Sequence, residues 1–423
     1  MITITDKTQC CGCSTCQQVC PQQCIDLVPD SEGYWYSKVD KDRCIECHLC
    51  EKRCPVLHQE SERVPLSVYA AKNKDEKIRA KSASGGMFTI MANQIIKENG
   101  IVYGVKFDSD WNVVFDKTET LDGLEKFRRS KYVQAWLGDT FKNVKKDLQE
   151  GRKVMFVGTP CQVAGLRSFL HKEYDNLLLV DLICEGVPSP KVWKRYLKEE
   201  LARQGKKNTV LLSSNHSLAP EGGIYLKDVS FRDKSKGWKK YSFALSFGKA
   251  SADAEKNSVL PPYINRDSAY MQCMMHYIDL RPICYECPFK SCKSHSDITI
   301  ADYWGITYLH PEMDDDKGTS MVFVNTEKGR KYFDLNSTNY LQTTYEETFK
   351  FNNVVTSSKK HKNRDVFFAK MDRKKSIIRW MNRCTYPIED KIKQTIKAKI
   401  KIFLKAIFGT KNCRKAKSLL RRK

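Results

Sequence analysis

Two stretches of the chain repeat one order of elements. KVMFVG (153–158) is a continuous apolar run, which predicts a strand buried on both faces; TP makes a turn and CQVAGLRSFL (161–170) takes helical spacing. NLLLVDLIC (176–184) is again an apolar strand, EGVPSP a loop, and KVWKRYLKEELARQ (191–204) an amphipathic helix. Around this pair, residues 68–72, 101–107, 113–115 and 297–302 read as further strands, and another follows the acidic loop at 314–316. Helices are expected from Gly86 to about residue 97, ending near Gly100, and over 328–335. The pattern predicts an α/β domain with a mixed sheet over 66–340. Residues 225–247 alternate as a β-hairpin turning at 234–237, either a lid or an antiparallel extension.

The first 60 residues differ. Two short alternating segments, with a turn at 30–33 between them, predict a hairpin of α+β ferredoxin-like type. A polar linker, 58–65, leads into the large domain. Residues 370–423 are different again, with 19 Lys/Arg against 3 Asp/Glu, so this tail carries +16 of the net +23 and the body is mildly basic. On a helix, Ile392, Ile396, Ile400, Phe403 and Ile407 form one apolar stripe flanked by lysines. Such a basic amphipathic tail suits an anionic membrane surface or a partner protein better than specific nucleic-acid binding.

Cysteine supplies the chemistry. The spacing C-x2-C-x2-C-x3-C-P occurs twice, as Cys10, Cys13, Cys16, Cys20, Pro21 and as Cys44, Cys47, Cys50, Cys54, Pro55. Thiolates at these gaps wrap one face of a 4Fe-4S cubane, and the fourth cysteine of each run ligates the other cluster. Cluster I is expected on Cys10, Cys13, Cys16 and Cys54, and cluster II on Cys44, Cys47, Cys50 and Cys20. Structural zinc prefers pairs of cysteines, and disulfides need an oxidising compartment. The N-terminus has no apolar run of the signal-peptide kind, so a reducing cytoplasm is expected, with the tail allowing a peripheral position at the inner membrane face. Cys11 and Cys24 fall outside the pattern and read as spare thiols; His48 reads as a surface residue.

Outside the runs, Cys161 falls on the first turn of a helix after a strand, where the helix dipole lowers a thiol pKa. Cys184 ends the next strand, at the edge where α/β sheets place their ligands. With Cys284 and Cys287 these form the preferred set for a third 4Fe-4S cluster, Cys292 being the substitute; a zinc knuckle or buried free thiols are the competing reading. Ser84, Gly85 and Gly86 open a helix whose N-terminal amides could seat a dinucleotide pyrophosphate, and glycines also start helices for steric reasons alone. Arg128, Arg129 and Lys131 precede Tyr132 as a basic turn or a phosphate clamp. Asp181, Asp297 and Asp302 lie near strand ends without identifying a general acid.

The ordered motifs SASGGMFT, RSKYVQ, VGTPCQVAGL, DLICEGVPSP, RPICYECPFK and DITIADYWGI resemble the coenzyme F420 hydrogenase/dehydrogenase beta-subunit family, here behind a dicluster ferredoxin. The resemblance covers residues 1 to about 326. It implies FAD beside a 4Fe-4S cluster, with Ser84, Gly85 and Gly86 at the flavin and electrons moving between one-electron carriers and a deazaflavin by hydride transfer. Relatives of this layout also resemble proteins of polysaccharide assembly, so the small organic acceptor is either deazaflavin-like or a glycan precursor. The expectation is an iron–sulfur flavoprotein oxidoreductase served by a redox partner protein or reduced ferredoxin. The alternative is a non-enzymatic electron-transfer subunit docked to a membrane or a larger complex.

Overall fold

The computed structural model describes residues 1–203, 224–249, 258–265 and 267–386. The N-terminal hairpin pairs β1 (Ile25–Pro29) with β2 (Trp35–Val39), Ile25 opposite Val39. The large domain is built on β3 (Ser67–Asn73), β4 (Ile101–Phe107), β5 (Val113–Thr118), β6 (Val154–Gly158) and β7 (Leu177–Leu182). A separate antiparallel sheet holds β8 (Ile224–Asp233), β9 (Ser242–Lys249) and β10 (Ser258–Asn265). The chain then returns to the main sheet with β11 (Ile298–Asp302), β12 (Ser320–Val324) and β13 (Thr338–Thr343).

The main sheet has eight strands in the order β13-β3-β12-β11-β7-β6-β4-β5. The β4–β6, β6–β7 and β7–β11 pairs are parallel, and the others are antiparallel. The continuous apolar runs have a physical reason, because β6 and β7 sit mid-sheet with both faces covered. Met155, Leu178 and Val180 face Ile90, Met91 and Ile95 of the helix Met87–Lys97. Their neighbours Val154, Phe156, Leu177 and Leu179 face Phe141 and Val144 of the helix Thr140–Gln149 and Val163 and Leu166 of the helix Pro160–Leu170. Each parallel strand therefore delivers its loop to one edge of a rigid slab.

The three-stranded sheet packs on the helix Pro190–Arg203 through an aromatic core of Trp193, Tyr196, Phe231, Phe243 and Tyr270. The expected hairpin is thus two strands of three, an antiparallel extension of the body. The same core absorbs the start of the expected tail. Met371 of the helix Arg364–Met371, and Ile377, Ile378 and Met381 of the helix Ile377–Thr385, are buried in it. The fold therefore continues through residue 385 rather than ending before 370, because these apolar positions recur at helical spacing among the lysines. The stripe from Ile392 to Ile407 lies outside the described residues. Among the described residues no helix is long and apolar enough to cross a membrane.

The two halves interlock through polar contacts. Arg364, nearly buried, forms a two-pronged pair with Glu32 at 2.9 and 2.6 Å. The Tyr34 hydroxyl donates to the Asp279 carbonyl at 2.6 Å, and the Phe141 amide donates to Gln18 Oε1 at 2.8 Å. Trp35 meets Trp136 edge-on at 5.1 Å.

Candidate metal and redox site

Two cavities occupy the N-terminal half. Cys10, Cys13, Cys16 and Cys54 line one of about 370 Å3, solvent at its mouth included. Cys20, Cys44, Cys47 and Cys50 line the other, of about 350 Å3. Both groupings follow the crossed pairing expected from the repeated spacing. The loop around the first is possible because Gly12 has φ +71°, and a Cβ there would lie 2.5 Å from the Gln134 amide nitrogen. Ser14 and His48 take left-handed conformations at equivalent places, each opening the short helix that carries the third cysteine of its run. His48 is held by Glu51, at 2.5 Å, on the surface.

Among the described residues, no three His, Cys, Asp or Glu side chains are arranged to hold a single metal ion. Zinc would need sulfurs gathered about 2.3 Å from one point. Here the thiols surround cavities, which suits a polynuclear cluster. Cys24, expected as a spare thiol, lies 3.4 Å from Cys20 Sγ and lines the second cavity.

Arg281 ties the first cavity to the large domain. It is fully buried, donates from Nε to the Cys10 carbonyl at 2.7 Å, and places Nη2 3.4 Å from Cys10 Sγ and 2.9 Å from the Trp35 carbonyl. Its guanidinium lies over the Tyr36 ring at 4.2 Å. Burial raises the Cys10 pKa, and this cation opposes the rise.

A second group of thiols gathers at the C-terminal edge of the parallel strands. Cys161 begins the helix after β6, with Thr159 and Gln162 forming a capping box. Cys184 lies two residues beyond β7, Cys284 in the 3-10 turn Pro282–Glu286, and Cys287 directly after it. Burial pushes Cys184 up to about 12, assisted by the charge of Cys161 and, more weakly, of Cys287. Burial likewise raises Cys284, with the charges of Cys184 and Cys287 adding. Gly186, at φ +122°, allows this convergence, since a Cβ there would meet Cys284 Cβ at 3.0 Å. Cys292 is elsewhere, in an apolar cluster with Val68, Tyr303 and Phe323.

The two groups adjoin. Cys11 and Cys13 are buried in one cluster, with Cys161, Cys284 and Cys287 packed against it. The neighbouring Cys13 and Cys161 thiols, with burial, raise the Cys11 pKa, while Cys13 falls to about 7. Gly165 lets the helix approach the Cys13 loop, because a Cβ there would lie 2.8 Å from Thr15 Oγ1 and 2.9 Å from Cys13 Cβ. Thr15 Oγ1 donates to the Gly165 carbonyl at 3.1 Å. Cys11 was invisible as a link because it belongs to no spacing motif.

The expected dinucleotide positions reach the same sheet edge with altered roles. Gly85 is a packing residue: its amide donates to Ser320 Oγ at 2.9 Å, and a Cβ would meet the Ala71 carbonyl at 2.4 Å. Gly86, at φ +85°, precedes the helix Met87–Lys97, which has no side-chain cap. Ser84 Oγ donates to the Thr319 carbonyl, and the Ser84 carbonyl is 3.5 Å from Lys234 Nζ. Of the basic turn, Arg129 is committed to Asp228 at 2.7 and 2.8 Å and Arg128 donates to Thr89. Lys131 donates to the Arg128 and Arg129 carbonyls, and burial lowers its pKa to about 7. Tyr132 packs edge-on against Phe231, in the electrostatic field of Arg232 and Asp302.

The acidic residues separate by role. Asp181 accepts from Ser294 and Ser296, and Asp297 accepts from the Leu179 amide and from Thr326, so both brace loops. Asp302 ends β11 and pairs with Arg232 and the Trp238 indole. The run 314–316 is an organised turn, with Asp314 on Lys239 and Asp315 on Arg79.

Residues 151–348 match the family model for the C terminus of the coenzyme F420 hydrogenase/dehydrogenase beta subunit. Residues 9–57 match that of the 4Fe-4S dicluster domain. No curated protein matches the chain. Among solved structures it is similar to a chain of the F420-reducing NiFe hydrogenase complex from Methanosarcina barkeri, at 15% identity and a TM-score of 0.40, covering 76% of this chain and 91% of that one. The protein is thus an iron–sulfur protein in which a 4Fe-4S dicluster domain precedes a region, residues 151–348, that matches the C-terminal model of the coenzyme F420 hydrogenase/dehydrogenase beta-subunit family.

Proposed function

We propose that the chain is an iron–sulfur flavoprotein oxidoreductase in which the dicluster domain exchanges electrons with a flavin site at the C-terminal edge of the main sheet. The observation that carries this reading is the convergence of Cys161, Cys184, Cys284 and Cys287 beside Cys11 and the Cys13 loop. Cys10, Cys13, Cys16 and Cys54 would hold one cluster, Cys20, Cys44, Cys47 and Cys50 a second, and the four sheet-edge cysteines a third. When bound, the clusters supply one-electron transfer, and the flavin couples it to two-electron exchange with an organic molecule.

This chain's own residues order the path. Cys47 is exposed, and Ile45 beside it is 60% exposed, so that face offers the approach for a redox partner protein or reduced ferredoxin. Cys13 and Cys11 are buried, as are Ile283 and Phe289 around them, which keeps water from the junction. Arg281 holds a positive charge against Cys10, favouring added negative charge there. For the flavin, the fit rests on the uncapped helix start at Gly86, whose amides suit a phosphate, and on the aromatic side chains near Asp302. The flavin is taken to be FAD, and its organic partner is a small acceptor, deazaflavin-like or a precursor in polysaccharide assembly.

The test is reduction of the anaerobically purified protein by reduced ferredoxin, followed by absorption. Bleaching of both iron–sulfur and flavin bands, with turnover on adding a deazaflavin, supports the reading. Cluster bleaching in a preparation without flavin leaves an electron-transfer subunit instead.

A further inference from the structure

One buried arginine at the sheet edge is half used. Arg232, on β8, has a side chain 1% exposed. Its Nη1 donates to Asp302, while Nε and Nη2 are buried with no hydrogen-bond partner among the described residues. Buried N–H groups left unpaired are costly and rare, more so on a charged group. The guanidinium lies over Tyr241 at 4.5 Å and Trp304 at 5.1 Å, and Trp304 stacks on Trp238 at 4.8 Å with planes 3° apart. These contacts serve the faces of the guanidinium and leave its in-plane donors unmet. Nε and Nη2 together form the fork that grips a carboxylate or phosphoryl group with two parallel bonds.

The surroundings favour an anion. Asp302 is already shared between Arg232 and the Trp238 indole. Among the described residues, Lys234 Nζ donates only to the backbone carbonyls of Arg79, Ser84 and Lys317, and burial, with the charges of Arg79 and Arg232, lowers its pKa to about 8. Register places the fork at the proposed redox site. Ile300 pairs with Leu182 across the parallel β7–β11 contact, so Asp302 stands level with Cys184 at the same edge.

We propose that the Arg232 fork is an oxyanion-binding element, taking a carboxylate or phosphoryl group of the organic ligand held between Asp302, Tyr241 and Trp304. Its location within a redox site rests on the function proposed above; the binding itself does not. The group has two sources, the phosphate of the cofactor or an acid group of its organic redox partner.

Anaerobically purified full-length protein is titrated calorimetrically with inorganic pyrophosphate, with malonate, with FMN and with riboflavin. Saturable binding of pyrophosphate or malonate, weakened about 10- to 100-fold in Arg232→Gln and partly restored in Arg232→Lys, supports the proposal. FMN binding that depends on Arg232, where riboflavin binding does not, assigns the group to the cofactor. Malonate binding that depends on Arg232, with FMN unaffected, assigns it to the organic partner. Failure of wild-type protein to bind any of the oxyanions overturns the proposal even if Arg232→Gln does not fold, and so does equal affinity in wild type and a folded Arg232→Gln. A protein devoid of flavin that still binds oxyanions through Arg232 would fail the redox reading and keep this one.

Discussion

The thiols of residues 10–54 and those at the edge of the main sheet reach their positions by different means. In the first group, spacing within 45 residues does most of the work, with Gly12 and left-handed turns at Ser14 and His48 shaping the loops. In the second, Cys161, Cys184 and Cys284 come from segments up to 123 residues apart, delivered to one edge by β6, β7 and the turn before β11. Local loops hold the one and a packed slab holds the other. The dicluster loops take their shape from local turns, whereas the sheet edge is fixed by the buried strands beneath it.

Removing ligands should break the comparison most sharply. Cys284→Ala is expected to lower the iron content by about four atoms while leaving the two-cluster signal of the N-terminal half. Cys292→Ala, in its apolar cluster, should lose no iron. Iron and sulfide analysis of both variants checks this, and equal losses would break the distinction between the two cysteines.

A smaller effect concerns the interface between the regions. Asp279 is fully buried with neither carboxylate oxygen partnered among the described residues, and burial raises its pKa to about 7, against the opposing charge of Arg364. The folded state therefore holds a proton that the unfolded chain has released above its ordinary carboxylate pKa. The associated stability is fully present below about pH 4 and is lost as pH rises toward 7, by about 4 kcal/mol at most. Asp279→Asn should flatten that part of the profile; urea unfolding between pH 4 and 8 measures it, and an unchanged slope would contradict it.

Gly165→Val tests the contact itself. The added atoms would press on Thr15 and Cys13, so a loss of about 1–3 kcal/mol is expected, with slower reduction of the sheet-edge centre. Thermal unfolding and stopped-flow absorption report the two effects; a variant as stable and as fast as wild type would mean the helix does not set the separation.

The smallest predicted change is electrostatic. Arg281→Gln removes a buried cation from Cys10, and the midpoint potential of the centre there should fall by about 60 mV, a tenfold one-electron shift. The centre on Cys20, Cys44, Cys47 and Cys50 should move less. Redox titration followed by electron paramagnetic resonance separates them, and equal shifts would remove Arg281 from the account.

How much of this was legible follows the same division. The doubled cysteine run carries its grouping in its spacing, and VMFVG and LLLVDL declare buried parallel strands by their unbroken apolar character. The helix Ile377–Thr385 was hidden because Ile377, Ile378 and Met381 sit among lysines and arginines whose charge dominates a composition reading. Gly85 looked like a phosphate contact, since a glycine required by the Ala71 carbonyl is indistinguishable in sequence from one required by a ligand. Arg232 carried no signal: its meaning comes from Asp302, Trp304 and Tyr241, brought together by packing between two sheets. Cys11 became meaningful once Gly165 let the helix Pro160–Leu170 approach the Cys13 loop.

The central claim is that the two regions form one sulfur-lined path ending at a flavin. Iron, sulfide and flavin content of the anaerobically purified protein tests it most directly. About twelve iron atoms, as many sulfides and one flavin per chain are predicted. About eight irons and no flavin would contradict it, leaving the dicluster domain as the redox-active part and the sheet edge without electrons to receive.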